Sequence, residues 1–535
     1  MMSGKRLPAP AATSTKPRLS RPCVLIIAVA GVERFAYKGV ASNLVTYLTD
    51  VVGMSTSAAA KSVSTWSGVT SMLPLVSAVL ADSYWDRYST ITASSLLYVV
   101  GLIGLTSWQL LHARMPSSSL FFPLYLISIG QGGYNPSLQA FGADQLDIGD
   151  DDDGGDEFGS GMTTEEQRSK VKSLFFQWWY FGICSGSLLG NSIMSYVQDT
   201  VGWGLGFAIP SAVMAASVGA FCCCTPLYKK RQPRVTGNGK HSRDSVLKAL
   251  KSLLASFTAR KITLPSRDDD DIVCELELQE KPLKAELADE KQEDSMNEAT
   301  PSVGKIILRL LPIWTMLLMF AVIFQQPMTF FTKQGMLMDH RIGGAFVIPP
   351  AMLQGSITVS IILLMPLYDR IIVPLTSLVT GDSKGITVLQ RIGVGMVLSI
   401  VAMAIAALVE ARRLRAALNT GVSGMSIFWL LPQYVLLGVS DVFTVIGMQE
   451  FFYTQVPSAM RTVGIALYLS VFGVGSFVGA FLITALEMAT ARSGGVGHGW
   501  FSDDPREAHL DNYYWFLALL SFVSFVVFTH LCKYY

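Results

Sequence analysis

Cys23-Val-Leu-Ile-Ile-Ala-Val-Ala-Gly-Val-Glu33-Arg34-Phe-Ala-Tyr37-Lys38-Gly-Val-Ala-Ser-Asn-Leu-Val-Thr-Tyr-Leu48 is long and apolar enough to cross a lipid bilayer, for which about 20 residues in a helix suffice. A basic stretch with Lys5, Arg6, Lys16, Arg18 and Arg21 precedes it. That opening resembles a signal peptide, but Glu33 and Arg34 interrupt the run and its apolar character resumes to Leu48, past the reach of a cleaved signal. The stretch therefore reads as a retained first transmembrane helix.

Comparable runs recur along the chain. They fall at 24–47, 63–81, 90–112, 119–142, 172–195, 203–226, 304–326, 346–367, 387–410, 424–449, 462–487 and 511–532. Half of the 535 residues are apolar and 15% are charged, and the mean hydropathy is +0.41. A water-soluble chain of this length would need more charge, so lipid is the expected surroundings. The fold class implied is an all-α membrane protein of twelve transmembrane helices in two six-helix bundles.

A polar stretch separates the sixth and seventh runs. The expected organisation is a cytosolic tail at 1–23, a first bundle at 24–226, a cytosolic linker at 227–303 and a second bundle at 304–533. Within the linker, Val246, Leu250, Leu253 and Phe257 recur at helical spacing beside Lys248, Lys251 and Arg260, which suits an amphipathic helix on the membrane surface. Its acidic remainder, including Asp268–Asp271, has the composition of a disordered segment. Lys and Arg collect in the tail, beside Arg87, in the loop with Arg168, Lys170 and Lys172, and in the linker, which places these on the cytosolic side. Arg412, Arg413 and Arg415 violate that rule.

The two halves echo each other, with Asp82-Ser-Tyr-Trp-Asp86-Arg87 after the second run and Tyr368-Asp369-Arg370 after the eighth. Asp82 with Arg87, and Asp369 with Arg370, are expected as cytosolic latches that gate the halves. Such repeats are common in secondary transporters.

A net charge of +1 gives no electrostatic case for nucleic acid. The six histidines have no metal-ligand spacing, and no nucleophile–base arrangement marks an enzyme, so no cofactor, metal or catalytic residue is expected. The seven cysteines form no disulfide framework. Cys222, Cys223 and Cys224 read as a helix end, with lipidation as the alternative.

Charges inside a span cost about 2.5–3.5 kcal/mol each and need a reason. Glu33, Arg34 and Lys38 read either as a packing ion pair or as the polar floor of a central cavity. Tyr37, Gln177 and Tyr180 add polar groups from the first half; Gln325 and Gln326, with Thr329, Phe330 and Phe331, do so from the second. In the tenth run Asp441 either faces that cavity or is satisfied locally by Ser440, Thr444 or Gln433. Glu450, nine residues on and about 13 Å further along a helix, reads as structural. Gly475 and Gly479 form a small-xxx-small pair that permits close helix packing.

Glu33-Arg34-Phe-Ala-Tyr37-Lys38-Gly39-Val-Ala-Ser-Asn43-Leu resembles the first-helix motif of the plant nitrate/peptide transporter family, within the proton-dependent oligopeptide transporters of the major facilitator superfamily. Further matches follow in order: Gln131-Gly132-Gly133 leading to Ala140-Phe141-Gly142-Ala143-Asp144-Gln145, then Phe175–Phe181, Leu311-Pro312-Ile313-Trp314 and Gln449-Glu450-Phe451-Phe452-Tyr453. The resemblance implies a plant carrier in the plasma or vacuolar membrane that moves nitrate, di- or tripeptides, or amphipathic organic metabolites. It makes a small-molecule substrate and the lipid bilayer the expected partners, with protons as a candidate co-substrate.

Departures from the family pattern are informative. Ala30 stands where relatives carry the first acid of an ExxER pattern, and Asn135, before Pro136, stands where they tend to have Lys. In the family these two look like partners across the cavity. Breaking one side of a buried pair costs about 3–5 kcal/mol, whereas replacing both can be nearly neutral, so the pair is read as deleted as a unit. Asp441 occupies the place of a substrate-facing Glu, and Cys184 that of an Asn in bacterial relatives. With alternating access between the two bundles as the expected mechanism, the loss at Ala30 and Asn135 implies transport without the usual proton coupling, facilitative or exporting, with residual coupling through Glu33 or Asp441 as the alternative. A solute sensor signalling through the linker is the other class.

Overall fold

The computed structural model describes residues 19–84, 87–147, 164–228, 303–342, 346–368, 371, 374, 378, 386–420, 424–456, 461–494, 499–502 and 508–534. The first half comprises α1 (Arg21–Ala41), α2 (Leu44–Asp50), α3 (Thr56–Tyr84), α4 (Arg87–Leu111), α5 (Phe121–Asp147), α6 (Thr164–Leu189), α7 (Ser195–Thr200) and α8 (Trp203–Cys223). The second comprises α9 (Val303–Phe324), α10 (Phe330–Met336), α11 (Gly355–Leu367), α12 (Val388–Thr420), α13 (Leu431–Thr454), α14 (Arg461–Gly494) and α15 (Leu510–Leu531). The expected spans appear as helix, the twelfth as α15, except that the eighth begins at Pro350 and not at 346, because Phe346–Val347 pair as a strand. A short antiparallel pair, β1 (Arg341–Ile342) and β2 (Phe346–Val347), joins the seventh span to the eighth.

Three spans are built from more than one helical piece. The first breaks at Ser42 and Asn43, between α1 and α2; the seventh breaks at Gln325–Thr329, where Pro327 cannot donate to a helix. The fifth passes through a π-helical turn, Gly190–Met194, before α7. Broken backbone at membrane depth needs partners. Ser42 O accepts from Gln354 Nε2 at 2.7 Å, and Pro327 O accepts from Thr332 Oγ1 at 2.7 Å. The first and seventh spans hold equivalent places in the two halves, so their breaks are a structural counterpart of the Asp-Arg echo in sequence.

Each half buries its own aromatic core. Trp66, Tyr98, Tyr134, Phe175 and Phe207 anchor the first. Tyr434, Tyr513 and Tyr514 anchor one part of the second, and Phe320, Met448 and Phe528 another. Small residues set the closest crossings. A Cβ on Gly186 of α6 would overlap the Gly31 carbonyl of α1, and one on Gly31 would stand 3.0 Å from the Gly182 carbonyl oxygen. This contact brings the Glu33–Lys38 segment against Tyr180 and Cys184. At Gly475 a Cβ would overlap Ala321, which seats α14 on α9.

Two of the three arginines that violated the charge rule are accounted for by their surroundings, while Arg415 is exposed. Arg413 is fully buried and makes a two-pronged pair with Glu410, Nε to Oε2 at 3.0 Å and a terminal nitrogen to Oε1 at 2.6 Å. Arg412 lies 4.6 Å from the Trp429 ring centre. The linker helix, the Asp150–Asp153 tract, Asp86, Asp369 and Arg370 lie outside the described residues, as does the side chain of Asp82.

Candidate functional site

The four polar residues of α1 separate by face. Glu33 is 1% exposed and turns into the first half, beside Gln131 and Asn135 of α5. Its Oε2 lies 4.0 Å from Arg34 Nε. Arg34 sits 5.9 Å over the Tyr37 ring, and Tyr37 stacks on Trp66 with centres 5.7 Å apart. Lys38, one turn further, points toward the second half, where it and Asp441 of α13 feel each other's charge. The two do not approach to salt-bridge distance, so a gap with a cation on one wall and a carboxylate on the other lies between the halves.

Other side chains converge on the same gap. Tyr180 hydrogen-bonds to Cys184 one turn along α6, and both feel the Asp441 charge, as does Tyr468 of α14. Tyr180 is 38% exposed although it sits in a helix at the heart of the molecule. None of the local partners considered for Asp441 holds it. Ser440 Oγ donates to Gly395 O at 2.6 Å, Gln433 Nε2 to Gln334 Oε1 at 3.3 Å, and Thr444 Oγ1 makes no hydrogen bond.

Not every candidate joins this cluster. Gln325 Nε2 donates to Ser67 Oγ of α3 at 3.1 Å, and Gln326 Nε2 to Val322 O at 3.0 Å and Tyr513 at 3.4 Å. Both amides are buried in packing, with Gln325 tying the halves together. Asn135 stands behind α1 with Glu33, and Gln177 is exposed without a contact to the charged cluster. Glu450 pairs with Arg391 at 3.2 Å. Ala30 is buried in the first-half core.

Contacts that join the halves gather at one end. Lys61 Nζ lies 2.7 Å from Glu487 Oε2, and Ser57 Oγ donates to Glu487 Oε1 at 2.8 Å. Lys333 reaches Thr49 and, at 3.4 Å, Asp50 Oδ1; Thr46 Oγ1 meets Met336 Sδ at 3.6 Å. Sequence reasoning passed over this set. The available signal was a lone acid, Glu487, in the apolar eleventh run and a lone base, Lys61, at the start of the second. Trp66 and Tyr468 were missed for a different cause: aromatic residues in an apolar run carry no mark of the face they occupy.

Two sets of helices that bring a cation and a carboxylate toward each other and touch through polar contacts near one end have the layout of a solute carrier. The family model described as the POT family matches residues 88–501. The chain is 51% identical over 544 aligned residues to the Arabidopsis thaliana protein NRT1/PTR family 5.9, covering 97% of this chain and 96% of that one. It is 40% identical to NRT1/PTR family 5.10 of the same plant, over 96% and 92% of the two chains. A crystal structure of an auto-inhibited POT family peptide transporter superposes with a TM-score of 0.70 at 20% identity, covering 96% of this chain and 97% of that one. The chain belongs to the POT family: it is an integral, multi-pass membrane transporter and not an enzyme.

Proposed function

We propose that this transporter carries a small organic solute bearing both charge signs, by alternating access, without the family's usual proton-coupling pair. The observation that carries this reading is the Lys38–Asp441 gap. Each charge projects from a different half, and neither has an ion-pair partner among the described residues. A bound ammonium would satisfy Asp441 and a carboxylate would satisfy Lys38 and Arg34, as charge-assisted contacts. Such a solute would draw the halves together, which couples occupancy to rocking. Nitrate fits less well, because the Asp441 carboxylate would repel it.

With the orientation set by the basic loops, the sealed end faces away from the cytosol. The molecule then stands open toward the cytosol, with Lys61–Glu487 and Lys333–Asp50 as an outer gate and Tyr180 at the inner vestibule. Ala30 cannot take a proton and Asn135 cannot form the cross-cavity pair, which supports facilitative movement or export. Glu33 and Asp441 remain as acids but are split between the half interior and the solute gap.

The test is labelled-solute flux in proteoliposomes, comparing zwitterionic amino compounds and short peptides with nitrate. Saturable flux of a zwitterion that unlabelled nitrate does not compete supports the reading. Binding without flux would instead identify a solute sensor.

A further inference from the structure

A cavity of about 590 Å³ lies between α12 and α15, lined by none of the residues of the Lys38–Asp441 cluster. Its inner walls are apolar, with Val394, Val397, Leu398, Phe525 and Phe528. Polar residues occur at one end only: Thr387 and Gln390 begin α12, and Thr529 and Cys532 end α15. Val394 and Val397 are 42% and 39% exposed, so the groove opens sideways onto the surface that faces lipid rather than into the protein.

Gly393 forms the floor. A Cβ there would rest 3.7 Å from the rings of Phe525 and Phe528, an ordinary contact, so the missing side chain leaves room that the backbone does not require. Lys533 follows Cys532, is exposed and has no ion pair among the described residues. Arg391 is turned away and held by Tyr368 at 2.6 Å and Glu450 at 3.2 Å.

We propose that this groove is a binding site for an anionic glycerophospholipid of the cytosolic leaflet, one acyl chain lying along Gly393, Val394 and Phe525 and the headgroup phosphate at Lys533. Three observations choose this occupant. The polarity gradient runs from wet mouth to apolar floor in the direction of a leaflet lipid. The open side is continuous with the bilayer. The unpaired cation at the mouth complements a phosphate, and a basic residue near an anionic headgroup strengthens binding several-fold.

Native mass spectrometry of the full chain, delipidated in detergent and then titrated with phosphatidate or phosphatidylcholine, tests the site. Retention of one phosphatidate in preference to phosphatidylcholine is expected. Gly393→Leu should abolish retention while leaving thermal unfolding unchanged, because leucine fills the floor without disturbing a helical backbone. Lys533→Ala should weaken the phosphatidate preference by about fivefold and spare the chain contact. Equal retention by a Gly393→Leu protein that unfolds like the parent overturns the proposal. So does a hydroxylamine-labile acyl group on Cys532, or burial of the face in a dimer of this chain.

Discussion

Lys61 Nζ of α3 and Glu487 Oε2 of α14 meet at 2.7 Å, and the same carboxylate accepts from Ser57 at 2.8 Å, closing one end of the molecule across its two halves. The pair is partly exposed, so its own contribution is modest, about 0.2–1 kcal/mol. Its importance lies in which conformation it favours. A contact made only in the sealed-outside state biases a two-state carrier by its full energy.

A Ser57→Cys, Glu487→Cys protein should therefore be bridged by a short reducible thiol-to-thiol cross-linker that stops flux, with reductant restoring it. Single Glu487→Gln should shift the carrier toward the outward-open state by a few-fold, read as increased labelling of a cysteine placed at the outer mouth. Unchanged flux in the fully cross-linked protein would mean that these helices do not separate during transport.

Asp441→Asn removes the carboxylate from the gap with little change in volume. Flux of a zwitterionic solute should fall by about tenfold or more, the scale of a lost charged hydrogen bond, while the amount of folded protein in the membrane stays the same. Lys38→Met should lower flux of the same solute by a similar factor and spare a solute that has no acid. A zwitterion carried equally well by the Asp441→Asn protein would place its ammonium elsewhere.

Flux by the unaltered protein is expected to show no stimulation by acid between roughly pH 5 and 8. Ala30→Glu together with Asn135→Lys should introduce acid stimulation, because it returns a titratable pair to α1 and α5. Ala30→Glu alone buries an unpaired charge and should lower the yield of folded protein instead. Strong acid stimulation and inward current in the unaltered protein would defeat the uncoupled reading.

The Glu410–Arg413 pair lies wholly inside the second half and is independent of the solute gap. Glu410→Ala should lower thermal stability by about 3–5 kcal/mol, since it strands a buried guanidinium. Replacing both partners by methionine should recover most of that loss. Comparable unfolding of the Glu410→Ala and double variants would show that Arg413 finds another route to compensation.

Much of this architecture was legible in the chain. Spans of the right length followed from hydropathy, and their order from the motifs between Glu33 and Tyr453. The roles within the first span were harder to read. Helical spacing separates the faces of Glu33 and Lys38 but does not say which face meets α5 and which meets α13. Gln325 and Gln326 mislead for the same cause: adjacent amides beside Pro327 suggest a polar lining, yet one is committed to Ser67 and the other to Val322 and Tyr513. Arg413 was an outlier to the charge rule because that rule counts charge and cannot see a partner one turn away turned inward with it.

By itself the sequence determined that this protein lives in lipid, crosses it as two related sets of helices and has Ala30 and Asn135 at the two positions where the family resemblance implies an acid–lysine pair. Those properties follow from local composition and from residue identity at fixed positions. Tertiary structure alone decided the pairings, because Lys61 and Glu487 are 426 residues apart and meet only when the halves dock. It likewise decided that Asp441 has no ion-pair partner among the described residues, since an unfilled contact is a property of the space around a side chain and not of the chain that bears it.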